Sequence, residues 1–309
     1  GSQFQRHLDV LQGTAIGHWQ YRVLPDYLVE ILIQFYRQSG ISHPVASAFT
    51  SFRFMQGVLI FLTCHFYYRR LGLSAVHSLM GLGILAWGMT HANHDSDLQF
   101  NLYFDVFFYL AAGIVIINGR YLWIIPITIL AALNRETSGL IPVLLLACYL
   151  PSRTTKPPYF EIKKVLKRPV VVSLISLALY IMIVLGLRAA LGPRPPWQPY
   201  GYTPGFFGDV LSYNLFRSIT WIQVFATLGI MPILALMSFK KWPRHLKVYF
   251  WVIVPFWFFI NAFYGTMAES RLFLVPQAMI FIPGALFLLQ YASDKVDDSR
   301  EINSDQMQG

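Results

Sequence analysis

Apolar runs of about 20 residues, the length of helix that crosses a hydrocarbon core, recur along this 309-residue chain. Residues 170–187 and 272–291 contain no charged side chain at all. Inside lipid every backbone polar group must be satisfied within the fold, so uncharged segments of this length read as transmembrane helices. Charge content agrees: 13% of residues are Asp, Glu, Lys or Arg, against about 25% in soluble domains. That shortage excludes disorder and a disulfide scaffold. It also excludes a soluble nucleic-acid binder, in spite of a net charge of +9. The expected fold class is all-α, a polytopic transmembrane helical bundle.

Spans are expected at roughly 47–68, 73–91, 101–118, 121–134, 138–150, 170–191, 217–238, 248–265 and 272–291. The fourth and fifth are short for full crossings. They read either as tilted spans or as broken helices that meet at Asn134 to Thr137. The chain divides into three regions: 1–46 as a loop on the outer face with an amphipathic interfacial helix, 47–291 as the transmembrane domain, and 292–309 as a polar cytoplasmic tail. The two cysteines, Cys64 and Cys148, lie inside apolar runs and read as small buried residues.

Basic residues set the expected orientation. All eight lysines fall at Arg153–Arg168, Lys240–Lys247 or the C-terminal tail, on the same side as Arg69, Arg70 and Arg120. That side is read as cytoplasmic, which puts residues 1–46 outside and implies an upstream span, ten in all. The remaining basic residues are all arginines: 6, 22, 37, 53, 135, 188, 194, 217 and 271. Arginine forks suit phosphate and carboxylate and tolerate partial burial better than lysine. The Pro- and aromatic-rich loop at 193–204 is placed outside as well.

Five polar constellations fall on that outer face. His91-Ala92-Asn93-His94-Asp95-Ser96-Asp97 crowds two imidazoles and two carboxylates into one short loop. These are groups that hold a divalent cation or exchange protons. Asp105 lies in the first turns of an apolar span, where a carboxylate needs a partner, a cavity or the helix dipole. Asn134-Arg135-Glu136-Thr137-Ser138 interrupts an otherwise continuous apolar stretch. An Arg and a Glu at that depth must pair or face water. Glu269 and Arg271 flank the start of the last span. The fifth, His18-Trp19-Gln20-Tyr21-Arg22-Val23-Leu24-Pro25, precedes an amphipathic segment over 27–37.

In order, Tyr21-Arg22-Val23-Leu24-Pro25, Tyr103 with Asp105, Asn134-Arg135-Glu136-Thr137 and Glu269-Ser270-Arg271 resemble bacterial members of the GT-C class of integral-membrane glycosyltransferases. The resemblance implies transfer of a sugar from a polyprenyl-phosphate donor to a glycan, lipid or protein acceptor, on the extracytoplasmic face of a bacterial inner membrane. It implies catalytic acids among Asp9, Asp95, Asp97 and Glu136, with Asp9 the acid ahead of the Tyr-Arg motif. It also implies a second acidic motif at Asp95 and Asp97, with Mg or Mn as the cation they would hold. Arg22, Arg135 and Arg271 are expected on the lipid phosphate. His91, His94, Asp105, Asn134 and Glu269 are expected to support them. A secondary transporter, or another lipid-linked glycan polymerase or ligase, would also place charges at broken helices.

Overall fold

The computed structural model describes residues 2–92, 99–149, 167–193 and 208–293. Among them every regular element is helical and no strand occurs. Two small helices come first: α1 (Ser2–Leu11), then a 3-10 turn (Gly17–Tyr21) leading into α2 (Val23–Gln38). Pro25 is tolerated in the first turn of α2, and Asp26 there meets the positive end of the helix dipole. The bundle proper comes next. It comprises α3 (Pro44–Leu71), α4 (Ala75–Ala92), α5 (Phe100–Ile117), α6 (Ile124–Asn134), α7 (Leu140–Tyr149) and α8 (Lys167–Leu191). After it come α9 (Asp209–Phe216), α10 (Ser218–Leu228), α11 (Met231–Met237), α12 (Arg244–Tyr264) and α13 (Ser270–Ser293). α3 starts at Pro44, whose missing N–H costs nothing in a first turn, and ends at Gly72, where a φ of 103° needs glycine.

Among the described residues five helices, α3, α5, α8, α12 and α13, are long and apolar enough to cross a membrane. α10 and α11 make a sixth if counted as one span, bent by 63° at a break that includes Gly229. The other three of the nine expected spans are the 18-residue α4, with His77 and His91 near its ends, and the short pair α6 and α7. α6 and α7 are separated by extended backbone at Arg135 (φ −166°, ψ 148°) and a 3-10 turn, Glu136–Gly139. The continuous apolar run is therefore broken where its five polar residues sit.

Burial divides the long helices into two kinds. α5 and α13 are enclosed, with 72% and 83% of their apolar windows inside the bundle. α3, α8 and α12 bury only 17–28%. Their outward faces carry Phe54, Leu62, Phe66, Met182, Leu185 and Trp251 in the open. An apolar surface of that extent is one a lipid-facing bundle requires and a soluble monomer avoids. These helices fit a multi-pass membrane protein.

The two ends of the bundle differ. At one, Arg244 donates to the Cys148 carbonyl, Lys247 to the Lys240 carbonyl, and Lys241 lies over the Tyr291 ring. Lys240, Lys241 and Lys247 gather there. At the other end the start of α5, the break after α6 and the turn before α13 meet beneath α1 and α2.

His7 fastens α1 to α2. Its ring is 1% exposed, with Nδ1 3.1 Å from Asp26 Oδ1 and Nε2 3.0 Å from Glu30 Oε2. A neutral imidazole donates through one nitrogen only, so both contacts require the imidazolium. Burial opposes that charge, but the hydrogen bonds to Asp26 and Glu30 outweigh it and raise the His7 pKa above its usual value. Phe49 of α3 closes the third side with an edge-on ring 5.7 Å away. A raised folded-state pKa contributes stability that is complete below the unfolded imidazole pKa, about 6.5. That stability disappears as pH rises through the folded value. Hydrogen exchange of α1, corrected for intrinsic rates, should therefore accelerate as pH rises above neutrality, and His7→Gln should remove that dependence.

Candidate functional site

Asp105 and Arg135 form the base of the site. Asp105 comes from the second turn of α5 and is fully buried; Arg135 is the first residue beyond α6. Arg135 Nη1 donates to Asp105 Oδ2 at 2.9 Å, and Asn134 Nδ2 donates to Asp105 Oδ1 at 2.8 Å and to the Asn101 carbonyl at 2.8 Å. The break after Asn134 makes this possible, because a continued helix would carry Arg135 around to another face. Further bonds hold the break open. Ser138 Oγ caps the Arg135 carbonyl at 2.7 Å, Tyr109 donates to the Thr137 carbonyl, and Tyr180 of α8 donates to the Glu136 carbonyl. A Cβ on Gly139 would stand 2.8 Å from the Tyr180 ring, so this close approach requires glycine.

Glu136 points the other way, toward the N-terminal segment. Its Oε2 accepts from Arg22 Nε at 3.2 Å and Nη2 at 3.1 Å. Arg22 sits between the 3-10 turn and α2. Burial lowers its pKa from the ordinary guanidinium value, while the Glu136 carboxylate acts in the opposite sense. On the far wall, Arg271 Nη2 donates to Glu269 Oε2 at 2.7 Å. Asn214 of α9 holds the adjoining chain. Its amide donates to the carbonyls of Asn261, Ala262 and Gly265, and its oxygen accepts from the Met267 N–H.

These walls enclose a cavity of about 250 Å³. Arg22, Arg135, Glu136 and Glu269 line it, together with His18 and Arg188. Among the described residues, three that line it carry polar atoms with no hydrogen-bond partner: Arg135 Nε, Glu136 Oε1 and Thr266 Oγ1. Arg135 and Thr266 are only 6% and 3% exposed. Buried donors and acceptors in native proteins have partners, so the cavity is built to receive a group that both accepts and donates. His18 stands among guanidiniums: burial, then Arg22, Arg135 and Arg6, push its pKa well below the usual imidazole value.

The predicted residues divide clearly. Arg22, Arg135, Glu136 and Glu269 meet on the cavity. Asp105, Asn134 and Arg271 stand behind it, each hydrogen-bonded to a neighbour there. Asp9 lies on α1, where its carboxylate accepts from Gln5, and it does not line the cavity. His91, in the last turn of α4, lies against Trp87 and is also off the lining. His94, Asp95 and Asp97 lie outside the described residues, as does most of the 193–204 loop. Among the described residues no group of three His, Cys, Asp or Glu side chains is placed to hold a metal ion. Sequence reasoning passed over Arg188 and Thr266 as site residues. Arg188 stands at the end of an apolar run with no acid nearby in sequence, and Thr266 carries no charge.

No family model, no curated protein and no solved structure matches the chain. Fold and site together define a multi-pass helical bundle with a charged cavity at one end, and the functional reading rests on that geometry.

Removing one partner of a buried ion pair leaves the other uncompensated, at a cost of about 3–5 kcal/mol. Asp105→Ala should accordingly lower thermal stability in detergent sharply. Asp105→Ala/Arg135→Met, which removes both charges, should recover most of the loss.

Proposed function

We propose that the protein is a membrane glycosyltransferase of GT-C type, which moves a sugar from a polyprenyl-phosphate donor to an acceptor on the extracytoplasmic face. The observation that carries this reading is the cavity itself. Three guanidiniums, Arg22, Arg135 and Arg188, share it with two carboxylates, Glu136 and Glu269, at one end of a lipid-facing bundle. Guanidiniums suit a phosphate; free carboxylate and hydroxyl oxygens suit sugar hydroxyls. The volume lies just under the range of about 300–1,000 Å³ usual for small-molecule pockets. It therefore suits a polar head group, with the prenyl chain left between helices in the lipid.

On this reading the acceptor hydroxyl oxygen attacks the anomeric carbon while the bond from that carbon to the phosphate oxygen breaks. The acceptor proton goes to Glu136 Oε1, the carboxylate oxygen without a partner. The electron pair of the broken bond leaves on polyprenyl phosphate. Arg135 Nε and Thr266 Oγ1 are the buried donors available to that phosphate. Arg22 orients Glu136 through Oε2. Positioned general bases contribute about 10²–10⁴ in rate.

The test supplies membranes containing the chain with radiolabelled polyprenyl-phosphoryl hexose or pentose and follows release of polyprenyl phosphate. Glu136→Gln should slow release by about 100-fold or more, and Arg135→Ala should do at least as much damage. Wild-type rates in both variants would remove Glu136 and Arg135 from the chemistry. No donor turnover by the wild type with any sugar would sink the glycosyltransferase reading.

A further inference from the structure

One glutamine and one histidine hold α1 beside the site. Gln20, 1% exposed, donates through Nε2 to the Val10 carbonyl at 3.1 Å and accepts through Oε1 from the Ala15 N–H at 2.9 Å. The end of α1 is thereby tied to the 3-10 turn that carries His18 and Trp19. From the middle of α1, His7 spans Asp26 and Glu30 of α2. His7 and Asp26 line a chamber of about 40 Å³, separate from the main cavity. Trp19, Arg22 and Gln99 line both, so they form the partition between His7 and the site. Two of these three belong to the segment that α1 and α2 hold.

We propose that α1 is a pH-operated lid on the cavity, closed while His7 bridges Asp26 and Glu30 and released when that bridge loses its proton. The inference concerns access alone and holds whatever the cavity binds. Its basis is the geometry of the bridge. The ring nitrogens lie 3.1 and 3.0 Å from carboxylate oxygens of Asp26 and Glu30, and only the imidazolium donates through both. A neutral ring keeps one bond and turns a lone pair toward the second carboxylate, so a charge-assisted contact becomes a repulsive one. Among the described residues, Asp26 and Glu30 face His7 from α2, where Arg37 acts on Glu30. Arg6, on α1 itself, acts on Asp26. α3 presents the Phe49 ring, and Phe4 of α1 stacks 6.2 Å away. Burial opposes the charge on His7, and the two carboxylates outweigh it. The lid is therefore closed below the raised His7 pKa and open above it.

The experiment places a reporter thiol in the cavity, Thr266→Cys, in the full chain in lipid nanodiscs. A water-soluble methanethiosulfonate labels it between about pH 6 and about pH 9, a range that brackets a raised imidazole pKa. The parent chain, whose Cys64 and Cys148 are buried, gives the background. Each rate is divided by that of the same reporter with His7→Lys, which keeps the charge at every pH; the division cancels the titration of the thiol. The ratio should climb about tenfold across the range, the scale of one lost charge-assisted hydrogen bond. His7→Gln should label fast throughout. Glu30→Gln, whose amide donates to a neutral ring, should label slowly throughout. Should His7→Lys itself break the bridge, wild type against Glu30→Gln decides alone. A flat wild-type ratio overturns the lid. So does a ratio that still climbs in His7→Gln or Glu30→Gln, because the titrating group then lies elsewhere, at His94, Asp95 or Asp97 for instance.

Discussion

The ion pair between Asp105 and Arg135 organises the charged end of the molecule. Two charges taken out of water lose several kcal/mol of hydration each. That loss is tolerable only where geometry and extra hydrogen bonds are good, and both are present here. Each Asp105 oxygen has its own donor at 2.8–2.9 Å, and Asn134 bridges the acid to the α5 backbone. The pair sets how far α6 runs before it breaks, and the break sets where Glu136 and Thr137 emerge. Glu136 then takes Arg22, and with it the N-terminal segment that roofs the cavity. Loss of the pair would therefore reach the site through backbone position as well as through charge.

Within lipid, burial of apolar surface does not choose one helix neighbour over another, because lipid chains are as apolar as leucine. Choice falls to polar bonds and close approach. Tyr67 and Tyr68 of α3 donate to the Met279 and Ala278 carbonyls of α13, within the π turn Gln277–Phe281. Wider turns of this kind leave carbonyls open to side-chain donors. Ser238, just after α11, donates to the Gly284 carbonyl at 2.6 Å and accepts from Trp242 Nε1 at 2.7 Å. These bonds fix the register of enclosed α13 against lipid-facing helices, and the turn at Glu269 to Arg271 inherits its position from that register.

Much of this was legible in the sequence, for physical reasons. A run of apolar residues reports its environment directly, so the long helices and the break at Asn134 to Thr137 could be placed from the chain. The sorting of lysines away from Arg22, Arg135, Glu136 and Glu269 likewise reflects two chemically different ends. Partnership was harder to read. Asp105 and Arg135 are 30 residues apart, and nothing local marks one as the counter-ion of the other. The fourth and fifth expected spans show the limit of composition: α6 and α7 are as apolar as any crossing, yet have 11 and 10 residues. Arg188 was hidden too: its place on the cavity comes with a contact to the Tyr21 ring, far away in sequence.

A cavity lined by arginines also bears on the fate of the product. On the proposed reading the donor is a diester of charge −1, whereas the product is a phosphomonoester of about −1.5 to −2, since its second pKa lies near 6. The site therefore faces more negative charge after the reaction than before it. Two outcomes relieve the excess: departure of the product, or uptake of a proton. His18 is the lining group able to take that proton. Its pKa is depressed by burial and by the neighbouring arginines. An anion beside it opposes those effects and favours the imidazolium.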